Sequence, residues 1–254
     1  MELETVKILK NHKIAEDIYE LLLYAPNIWH RVLPGQFAEI YLENGINILP
    51  RPLSICHAAL GNLRIIYKTV GDGTRRLSEF REGDGIRILA PLGNGFPVDF
   101  DASYEHIVIG GGIGVVPLLR LAQTRRGDVR VFLGFRAKEQ IILREDFAAA
   151  TEHLRIATDD GSYGYHGNII SLVKEELAES DKPRVIYACG PKPLLRAVQS
   201  FAAKNNTLAY LSLEERMGCG FGACIGCVVK TVHGYKKVCK DGTVFLADEV
   251  IFDE

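Results

Sequence analysis

The sequence predicts a multidomain β plus α/β protein. It reads as an antiparallel β-barrel over residues 1–100, a parallel-sheet α/β domain over 101–213, and a small C-terminal cysteine module over 214–254. Three patterns point there. Short β-branched and aromatic runs, punctuated by Gly and Pro turns, fill the first hundred residues. Strand and helix patterns then alternate, as a parallel sheet with helices on both faces requires. Near the C-terminus, four of the six cysteines lie within 21 residues.

Composition narrows the function class. A hydrophobic fraction of 47% supports a buried core, and 30 basic against 32 acidic residues leave a net charge of −2. That balance offers neither a nucleic-acid nor a membrane-surface footprint. No apolar run approaches the length of roughly 18 residues that a membrane span needs. The first residues are charged and alternating, unlike a signal peptide. A cytoplasmic location is expected, in which clustered cysteines read as metal ligands rather than disulfides.

The barrel strands are predicted at 6–9, 18–24, 36–42, 63–70 and 86–89. Pro34-Gly35, Asn44-Gly45, Gly61-Asn62, Gly71-Asp72-Gly73 and Gly83-Asp84-Gly85 supply the turns between them. One short helix is expected over 75–80 with Thr74 as its N-cap. In the second domain, strands are expected at 106–109, 129–134, 154–157, 185–189 and 208–213, and helices at 115–125, 168–179 and 194–204. The last module reads as a cysteine loop followed by a hairpin over 228–238, which returns Cys239 to the loop. Some forty residues bury little core, so a metal cluster is expected to stabilise this module.

Cys219, Cys224, Cys227 and Cys239 follow the spacing C-x4-C-x2-C-x11-C, that of a plant-type ferredoxin two-iron, two-sulfur (2Fe–2S) site. Thiolates suit iron–sulfur chemistry, and Gly218, Gly220, Gly222 and Gly226 let backbone N–H groups turn toward the sulfurs. A structural zinc site is the alternative, but it favours two C-x2-C pairs and only Cys224/Cys227 forms one.

The other signals are weaker singly. Gly110, Gly111, Gly112, Ile113 and Gly114 follow a buried strand and open a helix, a place where backbone N–H groups bind phosphate. The dinucleotide fingerprint is incomplete, because Val115 stands at its third glycine. Arg136 rather than an acid closes the second strand, so NADH and NADPH are not separated. Asp159 and the run Cys189-Gly190-Pro191 fall at strand ends, where ligands of such sheets collect; they also read simply as turns. Arg51-Pro52-Leu53-Ser54 offers a guanidinium for a pyrophosphate and a hydroxyl for a flavin edge. Gly73-Thr74 offers a second phosphate cradle. The seven histidines are scattered, and no Ser/His/Asp set or carboxylate pair marks a catalytic residue.

Taken together these motifs resemble the ferredoxin–NADP reductase superfamily. Pro34-Gly35-Gln36-Phe37 and Pro91-Leu92-Gly93-Asn94-Gly95-Phe96 add to the match. With Glu214-Glu215-Arg216-Met217-Gly218-Cys219-Gly220 leading into the cysteines, the whole chain resembles the electron transfer subunits of type 1B dihydroorotate dehydrogenases. The resemblance implies FAD on Arg51, Pro52, Leu53, Ser54, Ile66, Tyr67, Lys68, Gly73 and Thr74. It implies NAD over Gly110, Gly111, Gly112, Ile113, Gly114, Asp159, Cys189, Gly190 and Pro191, and a 2Fe–2S cluster on the four cysteines. An FMN-containing catalytic subunit is the implied partner, in a heterotetramer of two copies of each chain, with electrons passing from dihydroorotate to NAD+ in pyrimidine biosynthesis. Thr243 departs from the pattern, which has Pro there. The same cofactors on a subunit of a hydrogenase or of a ferredoxin-dependent transhydrogenase are the alternative; a zinc-stabilised binding module is the second.

Overall fold

The computed structural model describes all residues except 43–47, 100–102, 126–128, 178–182 and 253–254. The predicted turn at Asn44-Gly45, the boundary at 100/101 and the end of the helix predicted over 168–179 lie outside the described residues. Six antiparallel strands close a barrel: β1 (Glu2–Ala15), β2 (Ile18–Tyr24), β3 (Phe37–Tyr41), β4 (Arg51–Ala59), β5 (Asn62–Lys68) and β6 (Gly85–Leu92), in the order β1-β2-β5-β4-β3-β6. Closure pairs every strand edge. Inward residues alternate with outward ones, and Ile8, Leu21, Leu23, Ala38, Ile40, Ile55, Leu63 and Ile65 fill the interior.

Two barrel expectations are corrected. β1 is 14 residues long rather than the short segment 6–9, because its first half pairs with β6 and its second half with β2. β4 was not predicted as a strand at all. Pro52 lacks an N–H and Ser54 and His57 dilute the apolar alternation, yet β4 pairs with both β3 and β5. The short helix α1 (Asp72–Leu77) begins earlier than predicted, with Gly71 as its N-cap. Thr74 lies inside it and reaches back, its Oγ1 accepting from the Val70 and Gly71 N–H groups at 2.9 and 3.3 Å.

The second layer system is a seven-stranded sheet formed by β7 (Glu105–Gly111), β8 (Val129–Phe135), β9 (Leu154–Thr158), β10 (Tyr165–His166), β11 (Arg184–Cys189), β12 (Leu208–Ser212) and β15 (Val244–Leu246). Its order is β10-β9-β8-β7-β11-β12-β15. All neighbours are parallel except β15, which runs antiparallel to β12. Helices α2 (Leu119–Thr124) and α3 (Arg144–Ala148) cover one face; α4 (Ile169–Glu176) and α5 (Lys192–Lys204) cover the other. The helix predicted over 115–125 is split. Residues Gly112–Leu118 form a tighter 3-10 turn containing Pro117, and only then does α2 begin. Asn168 caps α4, accepting from the Ile170 N–H at 2.8 Å. Pro191 precedes α5, which starts two residues before the prediction.

The chain ends in a hairpin of β13 (Val228–Thr231) and β14 (Gly234–Lys237), followed by α6 (Val238–Asp241). The segment after α6 then returns to the large sheet as β15. Two contacts tie it down: Thr243 Oγ1 donates to the Gly35 carbonyl at 2.8 Å, and Asn94 Nδ2 donates to the Val244 carbonyl at 2.8 Å. The cysteine module is thus stitched to both larger units. The barrel and sheet are joined by Arg64, which pairs with Glu20 on β2 and Asp146 on α3 at 2.7 and 2.6 Å.

Candidate functional site

A cavity of about 520 Å³ opens where barrel, sheet and cysteine module meet, a size typical of cofactor sites. Arg51, Pro52, Leu53, Ser54, Ile66, Tyr67, Lys68 and Thr74 line its barrel side. Of the residues predicted to hold FAD, only Gly73 stands behind the wall. A Cβ on Gly73 would meet Arg51 Nε at 1.8 Å, so the missing side chain lets the guanidinium lie across the turn. Arg51 Nη1 donates to the Leu49 and Pro50 carbonyls at 2.9 and 3.1 Å, which fixes its reach. The opposite wall carries residues the sequence reading did not assign: Lys192, Ser212, Glu214, Glu215, Met217 and Thr243. Burial pushes the Glu214 carboxyl above its ordinary range.

A second cavity of about 460 Å³ lies over the carboxyl ends of β7 to β9 and shares Lys68 and Ile113 with the first. Gly111, Gly112, Ile113, Asp159 and Pro191 line it. The remaining residues predicted for the nucleotide do not. Gly110 packs under Val115 and Leu118, and Gly114 sits where a Cβ would meet Gly190 Cα at 2.6 Å. Gly190, in turn, rests on Leu194 and Gly111. These glycines let the two loops approach each other rather than meet a ligand. Cys189 is fully buried, and burial and the nearby Glu214 push its thiol far up, making it a packing residue. Arg136, Gln140, Asn168, Glu16 and Asp17 complete the cavity and were not predicted. The barrel hairpin that brings in Glu16 and Asp17 leaves no local sequence signal.

The four predicted cluster cysteines converge in two pairs. Cys219 and Cys224 have their sulfurs 3.5 Å apart, and Cys227 and Cys239 are 3.3 Å apart. A tetrahedral metal with bonds of about 2.3 Å spaces its sulfurs by about 3.8 Å, so each pair fits the edge belonging to one metal. Among the described residues, no three His, Cys, Asp or Glu side chains gather on a single point. Two sulfur pairs of this spacing suit a two-iron centre. The backbone suits it too. Burial alone would raise the Cys219 thiol, but N–H groups of Cys224, Phe221 and Gly222 and the Cys224 side chain hold it at about 6. Cys239, more deeply placed and facing Cys227, is pushed up to about 12.

Barrel and cysteine loop meet on the outer face of β3, where Phe37, Glu39 and Tyr41 alternate with the inward Ala38 and Ile40. Glu39 is fully buried, and neither carboxylate oxygen has a hydrogen-bond partner among the described residues. Its side chain lies against Gly220, where a Cβ would meet Glu39 Cγ at 2.4 Å. Burial, then the charge of Cys219, raise its carboxyl to about 8, with Arg51 opposing. Met217 lines the first cavity and also packs into the core shared with Cys219, Cys227 and Cys239.

Known proteins match this geometry. Residues 214–251 match the iron–sulfur cluster binding domain of dihydroorotate dehydrogenase B, and 108–200 match the oxidoreductase NAD-binding domain. The chain is 43% identical over 258 residues, 98% of each chain, to the dihydroorotate dehydrogenase B (NAD+) electron transfer subunit of Bacillus caldolyticus. It is 38% identical to the like-named subunit of Caldanaerobacter subterraneus subsp. tengcongensis, over 97% of each. Among solved structures, a chain of the NADH-dependent reduced ferredoxin–NADP oxidoreductase matches with a TM-score of 0.86 and 26% identity. That match spans 98% of this chain and 90% of the other. The ferredoxin reductase of carbazole 1,9a-dioxygenase shares the fold at a TM-score of 0.69 and 21% identity, over 81% and 66%. Barrel, nucleotide sheet and paired cysteines, matched over nearly their whole length, place this chain in the family of dihydroorotate dehydrogenase B (NAD+) electron transfer subunits.

Proposed function

We propose that the chain passes electrons from a catalytic partner subunit, through a 2Fe–2S cluster and FAD, to NAD+. The observation that carries this reading is the continuity of the three sites. The first cavity shares Lys68 and Ile113 with the second, and its far wall includes Met217, two residues from Cys219. When bound, FAD supplies the exchange between the two electrons of a hydride and the single electron a cluster accepts.

The chain's own residues organise that exchange. Arg51 presents a guanidinium for a pyrophosphate and Ser54 lines the cavity beside it, while the Tyr67 side chain packs in the barrel core with its hydroxyl donating to Asn11 Oδ1 at 3.0 Å. Thr74 commits its hydroxyl to the turn at 70–71 and shapes the loop rather than reaching outward. Gly111 and Gly112 present backbone at the end of β7, with Asp159 and Pro191 flanking the nucleotide cavity. Cys219 and Cys224 would hold one iron, and Cys227 and Cys239 the other. The three units divide functionally near 1–100, 101–213 and 214–254, for flavin, nucleotide and cluster.

The partner is read as an FMN-containing dihydroorotate dehydrogenase subunit in a heterotetramer with two copies of each chain, acting in the cytoplasm. No described helix is long and apolar enough to cross a membrane. Co-expression with that partner and assay for dihydroorotate-dependent NADH formation test the reading. Stoichiometric flavin and iron, with NADH formed, are expected. A complex holding both cofactors but inert toward dihydroorotate contradicts it. That result would favour a transhydrogenase-type subunit, to which the 26% identical neighbour points.

A further inference from the structure

The cluster loop is gripped from two sides by polar side chains. From the barrel, Glu39 lies against Gly220. From the hairpin, Lys237 Nζ donates to the Gly222 carbonyl at 2.7 Å. Lys237 is itself fixed, because its backbone N–H donates to Asp241 Oδ2 at 2.7 Å and it closes β14 where α6 begins. Gly222 is the pivotal residue of the loop. Its N–H faces the sulfurs of both Cys219 and Cys239, one from each pair. It has φ of 91°, and a Cβ there would meet Lys240 Cδ at 2.6 Å, so the Lys240 stem covers it closely.

We propose that Lys237 is a positioning residue for the cluster: its tethered ammonium fixes Gly222 against both sulfur pairs and holds the cluster's reduction potential up. The inference rests on the 2Fe–2S reading above. Reduction adds a negative charge to a centre already ringed by four thiolates. A cation held on the loop favours the reduced form, and cluster potentials follow net charge and hydrogen bonding to the sulfurs. Glu39, on the barrel side, is the neighbouring acidic residue. Lys236 makes a suitable control, because side chains alternate along β14 and it points to the other face of the hairpin.

The test is a potentiometric titration of the co-expressed complex, followed by the electron paramagnetic resonance signal of the reduced cluster, with iron content measured alongside. Lys237→Met should lower the midpoint, so that at the wild-type midpoint the ratio of reduced to oxidised cluster falls by about three- to tenfold. Lys237→Arg should restore most of it, and Lys236→Met should leave it unchanged. Iron lost from Lys237→Met but retained by Lys237→Arg also supports the tether. A wild-type midpoint in Lys237→Met with iron intact overturns the proposal. So does an equal shift in Lys236→Met, or iron lost from the Met and Arg variants alike. A wild-type complex without iron or signal instead overturns the cluster reading itself.

Discussion

At the residue scale, three side chains separate the cofactor sites. Arg51 is committed to the first cavity by its own backbone contacts. Arg51→Ala removes a charge-assisted contact worth about 1.5–3 kcal/mol, so FAD affinity should drop by about tenfold or more. Iron content should stay near wild type, as flavin and iron analysis of one preparation will show. Cys224→Ser should do the reverse, losing iron and keeping FAD, since Cys224 lies outside the walls of both cavities. Glu39 makes a different prediction. Its folded carboxyl titrates near 8 against an ordinary 4.5, so the folded state holds the proton more tightly than the unfolded one. Stability from this group is therefore full below about pH 4.5 and falls as pH rises toward 8. At about 1.4 kcal/mol per unit the loss amounts to a few kcal/mol. Glu39→Gln should flatten the fall in melting temperature between pH 5 and 8; an unchanged slope would assign the loss to other groups. No sequence pattern marks Glu39. It reads as an outward strand residue facing water, and only the docking of the cysteine loop buries it.

Among the elements, the close approach of two glycine turns governs the nucleotide cavity. Gly114→Ala would place a methyl group 2.6 Å from Gly190 Cα and 2.8 Å from the Cys189 carbonyl carbon. Those are backbone atoms that no rotamer change moves. Overpacking of this kind costs about 1–3 kcal/mol. The melting temperature should fall and NADH should bind about tenfold or more weakly, while flavin occupancy is kept; isothermal titration with NADH checks this. The same contact explains what the sequence left open. The five glycine-run residues read alike as a phosphate loop, yet the fold divides them into cavity-lining Gly111, Gly112 and Ile113 and packing Gly110 and Gly114. Strands dense in aliphatic and aromatic residues, such as β2 and β5, were legible. β4 was not, because Pro52, Ser54 and His57 serve the cavity and the domain junction at the expense of the strand pattern. β15 was hidden for another reason. Its antiparallel pairing with β12 arises from residues far apart in the chain.

For the molecule as a whole, the cysteine module is a component of a continuous relay rather than an appended metal-binding domain. Its stitching supports this: Thr243 bonds Gly35 of the barrel, Val244 bonds Asn94, and β15 extends the nucleotide sheet. The cluster spacing and the barrel wall of the first cavity were legible because they are local, with three cysteines in one loop, the fourth just past one hairpin, and Arg51 to Ser54 in one strand. The opposite wall of that cavity was not, since Ser212, Glu214, Met217 and Thr243 converge only through the return of the C-terminal segment. The most direct test of the relay uses the cluster-free variant. Dihydroorotate-driven NADH formation by the co-expressed complex should be abolished in Cys224→Ser, while NADH still bleaches its bound flavin under anaerobic conditions. Undiminished NADH formation from dihydroorotate in an iron-free Cys224→Ser complex would contradict a path through the cluster.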